Sequence, residues 1–219
     1  MVCSEEIMTY LIKAYDDGVP LHSILSPHHL KTLIVHPDPE VRMWLAKCMV
    51  HDDDHADILK YLIPLAKDRD ELVRLEAIDT LSSFISQESI HTLYLALEDS
   101  EALVRAYAAY GIAVVGSVIC PEEATQVLKK AKAHEQSLRV QADIYYGLWL
   151  LGETVALDCL IGLFDCKDYQ VQCAVLRSLT ELLDTQNNEK VHLFLSSLQP
   201  DDYPLPVADI LRQWLAEQL

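Results

Sequence analysis

Few residues in this chain are typed and spaced for chemistry, and the densest group is His51-Asp52-Asp53-Asp54-His55. Histidines four apart share a helix face, and with a carboxylate such as Asp53 between them they suit a transition metal. The run also falls where one helix should end and the next begin, a place that favours Asp as a cap and His as a C-terminal charge. His51, Asp53 and His55 are therefore read as a structural turn without metal. A metal-dependent or lyase-like activity at this turn is the alternative. His28, His29 and His36 raise the local histidine density without fixing a geometry. The six cysteines, Cys3, Cys48, Cys120, Cys159, Cys166 and Cys173, form no C-x-x-C pair. They are read as buried free thiols of a reducing compartment rather than as a zinc or disulfide cluster. There is no G-x-S-x-G, no Gly-rich phosphate loop and no H-E-x-x-H, so neither a cofactor nor catalysis is expected.

The elements that would position any such residues follow from composition and periodicity. The 219 residues include 17 basic and 34 acidic side chains, a formal charge of −17. That field repels phosphate, so neither a nucleic acid nor a polybasic membrane contact is expected. At 51% hydrophobic and 23% charged residues the chain is too apolar for disorder, and 7% aromatics with six glycines argue against an all-β fold. The start is acidic where an export signal needs positive charge. No run approaches the about 20 apolar residues of a membrane helix, and residues 111–120 fit a buried helix. The expected location is cytoplasmic.

An internal repeat organises most of the chain. Pro39-Glu40-Val41-Arg42, Glu71-Leu72-Val73-Arg74, Ala102-Leu103-Val104-Arg105, Gln136-Ser137-Leu138-Arg139 and Tyr169-Gln170-Val171-Gln172 align without gaps. Their last residues are separated by 32, 31, 34 and 33 positions. Three residues further on stands Ala77, Ala108 or Ala142, with Leu45 and Val175 as exceptions. Seven further on stands Met49, Leu81, Ile112, Tyr146 or Leu179. Spacings of three, four and seven mark one face of a helix. Second helical stripes lie at 58–66, 90–97, 124–131, 155–164 and 191–198, separated from the first set by Asp- and Ser-rich turns suited to capping. A lone helical hairpin cannot bury its apolar face, so the hairpins must stack. Arg42, Arg74, Arg105 and Arg139 are read as a structural ladder, each guanidinium pairing with an acid in an adjacent inter-helix turn.

The run Asp70-Glu71-Leu72-Val73-Arg74-Leu75-Glu76-Ala77 resembles the D-x-x-V-R-x-x-A signature of the HEAT-repeat family, especially its short variant in bacterial and phycobilisome-lyase-like chains. The resemblance implies an all-α fold, a right-handed α-solenoid of about five to six stacked hairpins. The expected domain is single, 1–219, with cap helices over 1–37, repeats over 38–185 and a C-terminal cap over 186–219. It also implies recognition rather than catalysis. Iron-binding members carry repeated His-Glu pairs, and this chain has one, His134-Glu135. DNA-glycosylase-like members need a basic groove that the acidity opposes, and a bilin-lyase role rests on the shared repeats alone.

In such solenoids the positions two, five and six after the Arg line the concave surface. Here they are Trp44 and Lys47, Glu76 and Asp79, Tyr107 and Tyr110, Gln141 and Tyr145, then Arg177 and Ser178. Aromatics with acidic neighbours suit a basic protein or peptide, because Trp and Tyr bring large contact area at low entropic cost. The opposing reading is that these aromatics fill gaps between repeats. The expected function is a non-enzymatic scaffold, in concrete form an immunity or inhibitor protein for a cationic toxin. The acidity is spread over both halves, with 9 basic and 19 acidic residues in 1–110 and 8 and 15 in 111–219, which also fits a role in solubility.

Overall fold

Every regular element is helical among the described residues, 3–52, 56–185 and 188–217 of a computed structural model. In chain order the helices are α1 (Ser4–Asp16), α2 (Leu21–Ile24), α3 (Pro27–Leu33), α4 (Pro39–Cys48), α5 (Leu59–Leu65), α6 (Glu71–Leu81) and α7 (Gln87–Ala96). They continue as α8 (Ala102–Ile119), α9 (Pro121–His134), α10 (Leu138–Leu150), α11 (Val155–Leu163), α12 (Tyr169–Thr185), α13 (Glu189–Ser197) and α14 (Leu205–Glu217). Starts are set by side-chain caps. Asp38 accepts from the Glu40 N–H, Asp70 from those of Leu72 and Val73, and Ser137 from that of Val140.

The even-numbered helices from α4 to α14 pack each on the next and form one layer, while α5, α7, α9, α11 and α13 cover its outer side. The molecule is an all-α solenoid. α1 packs on α4 and extends the inner layer by one helix. Buried side chains run through the stack in two clusters, one from Leu11 to Ala156 and one from Ala142 to Trp214, which share Tyr145, Trp149 and Leu150 at their border. At one inner–outer contact the backbones approach so closely that only glycine fits. A Cβ on Gly116 of α8 would lie 2.5 Å from the Ala124 Cβ of α9.

A guanidinium stands at the fourth position of α4, α6 and α8. Arg42 is 4% exposed and grips Asp68 with two bonds, Nε to Oδ2 at 2.7 Å and Nη2 to Oδ1 at 2.8 Å. Arg74 does the same to Asp99 at 2.7 and 2.9 Å, and Arg105 to Glu135 at 2.7 and 3.1 Å. The remaining nitrogen of each donates backward to the carbonyl six residues earlier: His36, Asp68 and Asp99 respectively. Each acid also accepts the N–H two residues on, from Asp70, Glu101 and Ser137. Every turn is thus held from both sides.

The expected fourth rung, Arg139, is not part of this ladder. Ser137 caps α10, so the fourth helical position is Gln141, whose amide donates to the Glu135 carbonyl six residues back at 2.8 Å. The position that would hold its acid is occupied by Cys166. Arginine and acid are replaced together, so neither buried partner is left charged alone. The small-residue rule is corrected by the same two-residue slip: Ala77 and Ala108 hold their places, but the matching residue of α10 is Ile144, not Ala142.

α8 has 18 residues, long and apolar enough to cross a bilayer by length and composition, contrary to the expectation that no run comes close. Half of it is buried, and it packs against α6, α7, α9 and α10 while carrying the ion-paired Arg105. The cysteines are free thiols, but only Cys48 and Cys173 are buried, and Cys3 is exposed.

Burial raises the carboxyls of Asp68 and Asp99, but hydrogen bonds from the guanidinium and backbone outweigh it and hold both below their ordinary value; for Glu135 the Arg105 contact dominates. Depressed values mean that this stabilisation is present above the normal carboxylate range and is lost as pH falls through the lowered values. Arg74→Ala should cost about 2–4 kcal/mol by strand-independent probes such as urea unfolding followed by circular dichroism, with the cost shrinking in acid. Arg74→Gln with Asp99→Cys, the pair found at 141 and 166, should cost less than Arg74→Gln alone. Gly116→Ala should cost about 1–3 kcal/mol through overpacking.

Candidate functional site

With roughly 100° per residue, the positions two before and two, five and nine after the ladder residue all point to the side opposite the ladder. For α6 to α12 these positions bring Asp79, Tyr107, Tyr110, Arg139, Asp143, Tyr146, Arg177 and Glu181 around one basin of about 210 Å³ on the inner layer. Tyr110 and Tyr146 stack with ring planes 3° apart and centroids 6.0 Å apart. The Tyr110 hydroxyl donates to Glu181 Oε1 at 3.1 Å, and Tyr146 bonds the same carboxylate. Three consecutive inner helices are therefore joined at this point by side chains alone.

Two larger hollows lie elsewhere. One of about 540 Å³ follows the N-terminal edge of α6 to α12, where Leu72, Leu103 and Leu138 line it and Asp168 accepts from its own helix at Gln170. Another, of about 480 Å³, lies between α7 and α9, where Arg105 and Glu135 are already paired. The first hollow shares Arg139 with the basin, and the basin alone of the three sets several tyrosine rings among charged groups of both signs from α6, α8, α10 and α12.

Of the residues anticipated for partner binding, Asp79, Tyr107 and Tyr110 line the basin. Trp44 and Glu76 sit at a neighbouring cluster, where Lys47 lies 3.7 Å from Glu76 and 5.4 Å above the Trp44 ring, and Trp44 meets Tyr15 of α1 edge-on. Trp44 thus fills the α1–α4 contact. Gln141 and Tyr145 are corrections: Gln141 is the ladder residue, and Tyr145 faces α9, where Lys132 stands over its ring at 5.6 Å. The positions that belong to the stripe in α10 are Asp143 and Tyr146. Glu181 and Arg139 were also missed. The signal for Arg139, as for Asp143 and Tyr146, was the acid six residues before each ladder residue, which assigns Glu135 to Gln141; Glu181, in α12, carries no such signal.

The histidine–aspartate turn is engaged in structure where it is described. The buried Asp52 carboxylate accepts from the backbone N–H groups of Leu21 and His22 at 2.9 and 3.0 Å and bonds the His22 ring at 2.6 Å, which fixes the start of α2. His51 Nε2 lies 3.1 Å from the Tyr15 carbonyl. Asp53 and His55 lie outside the described residues. Among the described residues no three His, Cys, Asp or Glu side chains gather as a metal site.

The family model for HEAT repeats matches residues 26–113. These are HEAT repeats. A comparison with curated proteins gives no match. HEAT repeats generally serve protein–protein interaction, and the ladder and stacked inner layer extend the same geometry beyond the matched stretch to Gln141 and α12.

The inner surface of the helical stack carries perturbed carboxyls and phenols. Burial raises the carboxyl of Asp79 and the phenol of Tyr107, and with Glu181 beside it Tyr110 is pushed up to about 12. Asp143 is raised most usefully, to about 6: burial dominates, Arg139 and Arg177 oppose it, and Glu181 adds to it. A raised carboxyl favours folding when protonated, so its contribution is present below the ordinary range near 3.8 and is lost as pH rises through about 6. Above that pH a buried charge is being held at a cost. Asp143→Asn is expected to match the parent near pH 4 and to be more stable by up to about 2 kcal/mol at pH 8, as read from thermal unfolding across pH.

Proposed function

We propose that the concave face formed by α6 to α12 is a recognition surface for a basic protein or peptide, and that the chain is a non-enzymatic scaffold. The observation that carries this is the basin itself. Tyr107, Tyr110 and Tyr146 stand among the carboxylates of Asp79, Asp143 and Glu181, on a chain with a formal charge of −17. Rigid aromatic walls supply contact area and cation–π attraction, while acids select and steer positive partners. Within this class, an immunity or inhibitor protein that neutralises a cationic toxin is the concrete form proposed, because strong acidity raises its association rate.

A panel of fluorescent Lys- and Arg-rich peptides, titrated against the full chain, tests the reading. Tyr107→Ala or Tyr110→Ala should weaken the best binder by at least about 2 kcal/mol, mainly through faster dissociation. Glu76→Gln with Asp79→Asn should slow association and flatten its salt dependence. Arg74→Ala, under conditions where it remains folded, should leave affinity unchanged. Unaltered affinity and rates in the tyrosine and acid variants, with helicity preserved, would remove the concave face from consideration.

A further inference from the structure

One guanidinium of the basin is left over by the fold, that of Arg139, which stands between the basin and the hollow of about 540 Å³. The exposed Arg177 lines the basin beside it. Arg139 Nε is buried without a hydrogen-bond partner, whereas the Nε atoms of Arg42, Arg74 and Arg105 each hold a carboxylate. Arg139 and Arg177 act on Asp143 through their charge, yet neither reaches an acid at ion-pair distance among the described residues. A buried donor without a partner is unfavourable unless something arrives to accept from it. The same basin presents Asp143 and Glu181, so groups of both signs face one space.

We propose that the basin recognises a paired charge: a Lys or Arg side chain with a carboxylate within one residue of it. This rests on the concave-face reading above and narrows it. The cation would lie between the tyrosine rings against Asp143 and Glu181, where ring faces and carboxylates both attract it. The carboxylate would accept from the Arg139 fork, with Arg177 beside it, in the planar geometry that guanidinium groups favour. A purely cationic segment would set its charge against two arginines and leave Arg139 Nε unpaired. A purely anionic ligand would meet Asp79, Asp143 and Glu181. The volume of about 210 Å³ is below the roughly 300 Å³ at which small-molecule pockets begin, and it suits one residue rather than a cofactor. The carboxylate has two sources, a chain terminus or an adjacent Asp or Glu side chain.

Three fluorescent peptides of equal length, each with one Arg, separate the sources. One ends in Arg with a free carboxylate, one is the same peptide amidated, and one is amidated with an internal Asp-Arg. Titrations of the full chain by anisotropy, or by NMR for millimolar affinities, should show the lone amidated Arg binding at least tenfold more weakly than one of the other two. Which of those two binds better names the source. Arg139→Gln should abolish the difference without weakening the amidated peptide, and Arg139→Lys, which keeps the charge but not the fork, should fall between. Asp143→Asn should weaken all three in parallel. Equal binding of the three peptides, or a preference that survives Arg139→Gln in a folded protein, would overturn the proposal. If none of the three binds while a polycationic peptide still binds in a Tyr107-dependent way, the paired-charge idea fails and the concave-face reading stands. Loss of polycation binding as well would remove both.

Discussion

The guanidinium at the fourth position of the inner helices is the constraint from which the rest of this structure follows. Apolar burial drives the hairpins together but is indifferent to small rotations about a helix axis. A bidentate ion pair is not, because its two bonds fix both distance and plane. Arg42, Arg74 and Arg105 each join the carbonyl of their own turn to the carboxylate of the next. That sets the rotation of each inner helix relative to its neighbour. Once the ladder faces one way, Asp79, Tyr107, Tyr110 and Asp143 must face the other.

The ladder changes character at α10, and the basin lies there. Gln141 keeps the backward bond to the Glu135 carbonyl but has no acid ahead of it, since Cys166 stands in that place. The polar link between α8, α10 and α12 passes instead to the side opposite the ladder, through Tyr110, Tyr146 and Glu181. Charge that elsewhere is paired within the ladder is here left open toward the basin: Arg139 with an unpartnered Nε, Asp143 with its carboxyl pushed up to about 6. Local departures from full polar satisfaction of this kind collect at places that serve binding rather than folding.

The fold was legible because stacking physics repeats. Arg42, Arg74 and Arg105 recur with the same apolar partners, and each pairs with an acid in an adjacent turn. The site was only partly legible, because its register in α10 was anchored on a residue type. Leu138-Arg139 imitates Val41-Arg42, and a match on arginine slid the fourth repeat by two positions. Counting from the capping Ser137, or from the acid six residues ahead, gives Gln141 and restores Asp143 and Tyr146 to the concave stripe. Glu181 was beyond such counting. It belongs to the site because α12 continues for two more turns past the positions tested, and because a tyrosine 71 residues away donates to it. Trp44, half-buried, also meets Tyr15 of α1, a helix that shows no repeat signature and packs on α4, and nothing in the repeat pattern points to that contact.

In a stack where each repeat touches only its neighbours, stability resides in the couplings between them, and fraying starts where a coupling is thin. The ladder grips each junction through Glu135 and then stops. Beyond α10 the last repeats are attached by the apolar cluster, by the tyrosine–glutamate link and by the exposed Lys190–Asp158 pair between α13 and α11. Arg177 and Glu181, the far wall of the basin, ride on the first helix of that more loosely coupled end. Whatever fills the basin would therefore also clasp the end of the stack to its body. Occupancy and the integrity of the C-terminal repeats become one linked equilibrium, in which free ligand above its dissociation constant suppresses fraying.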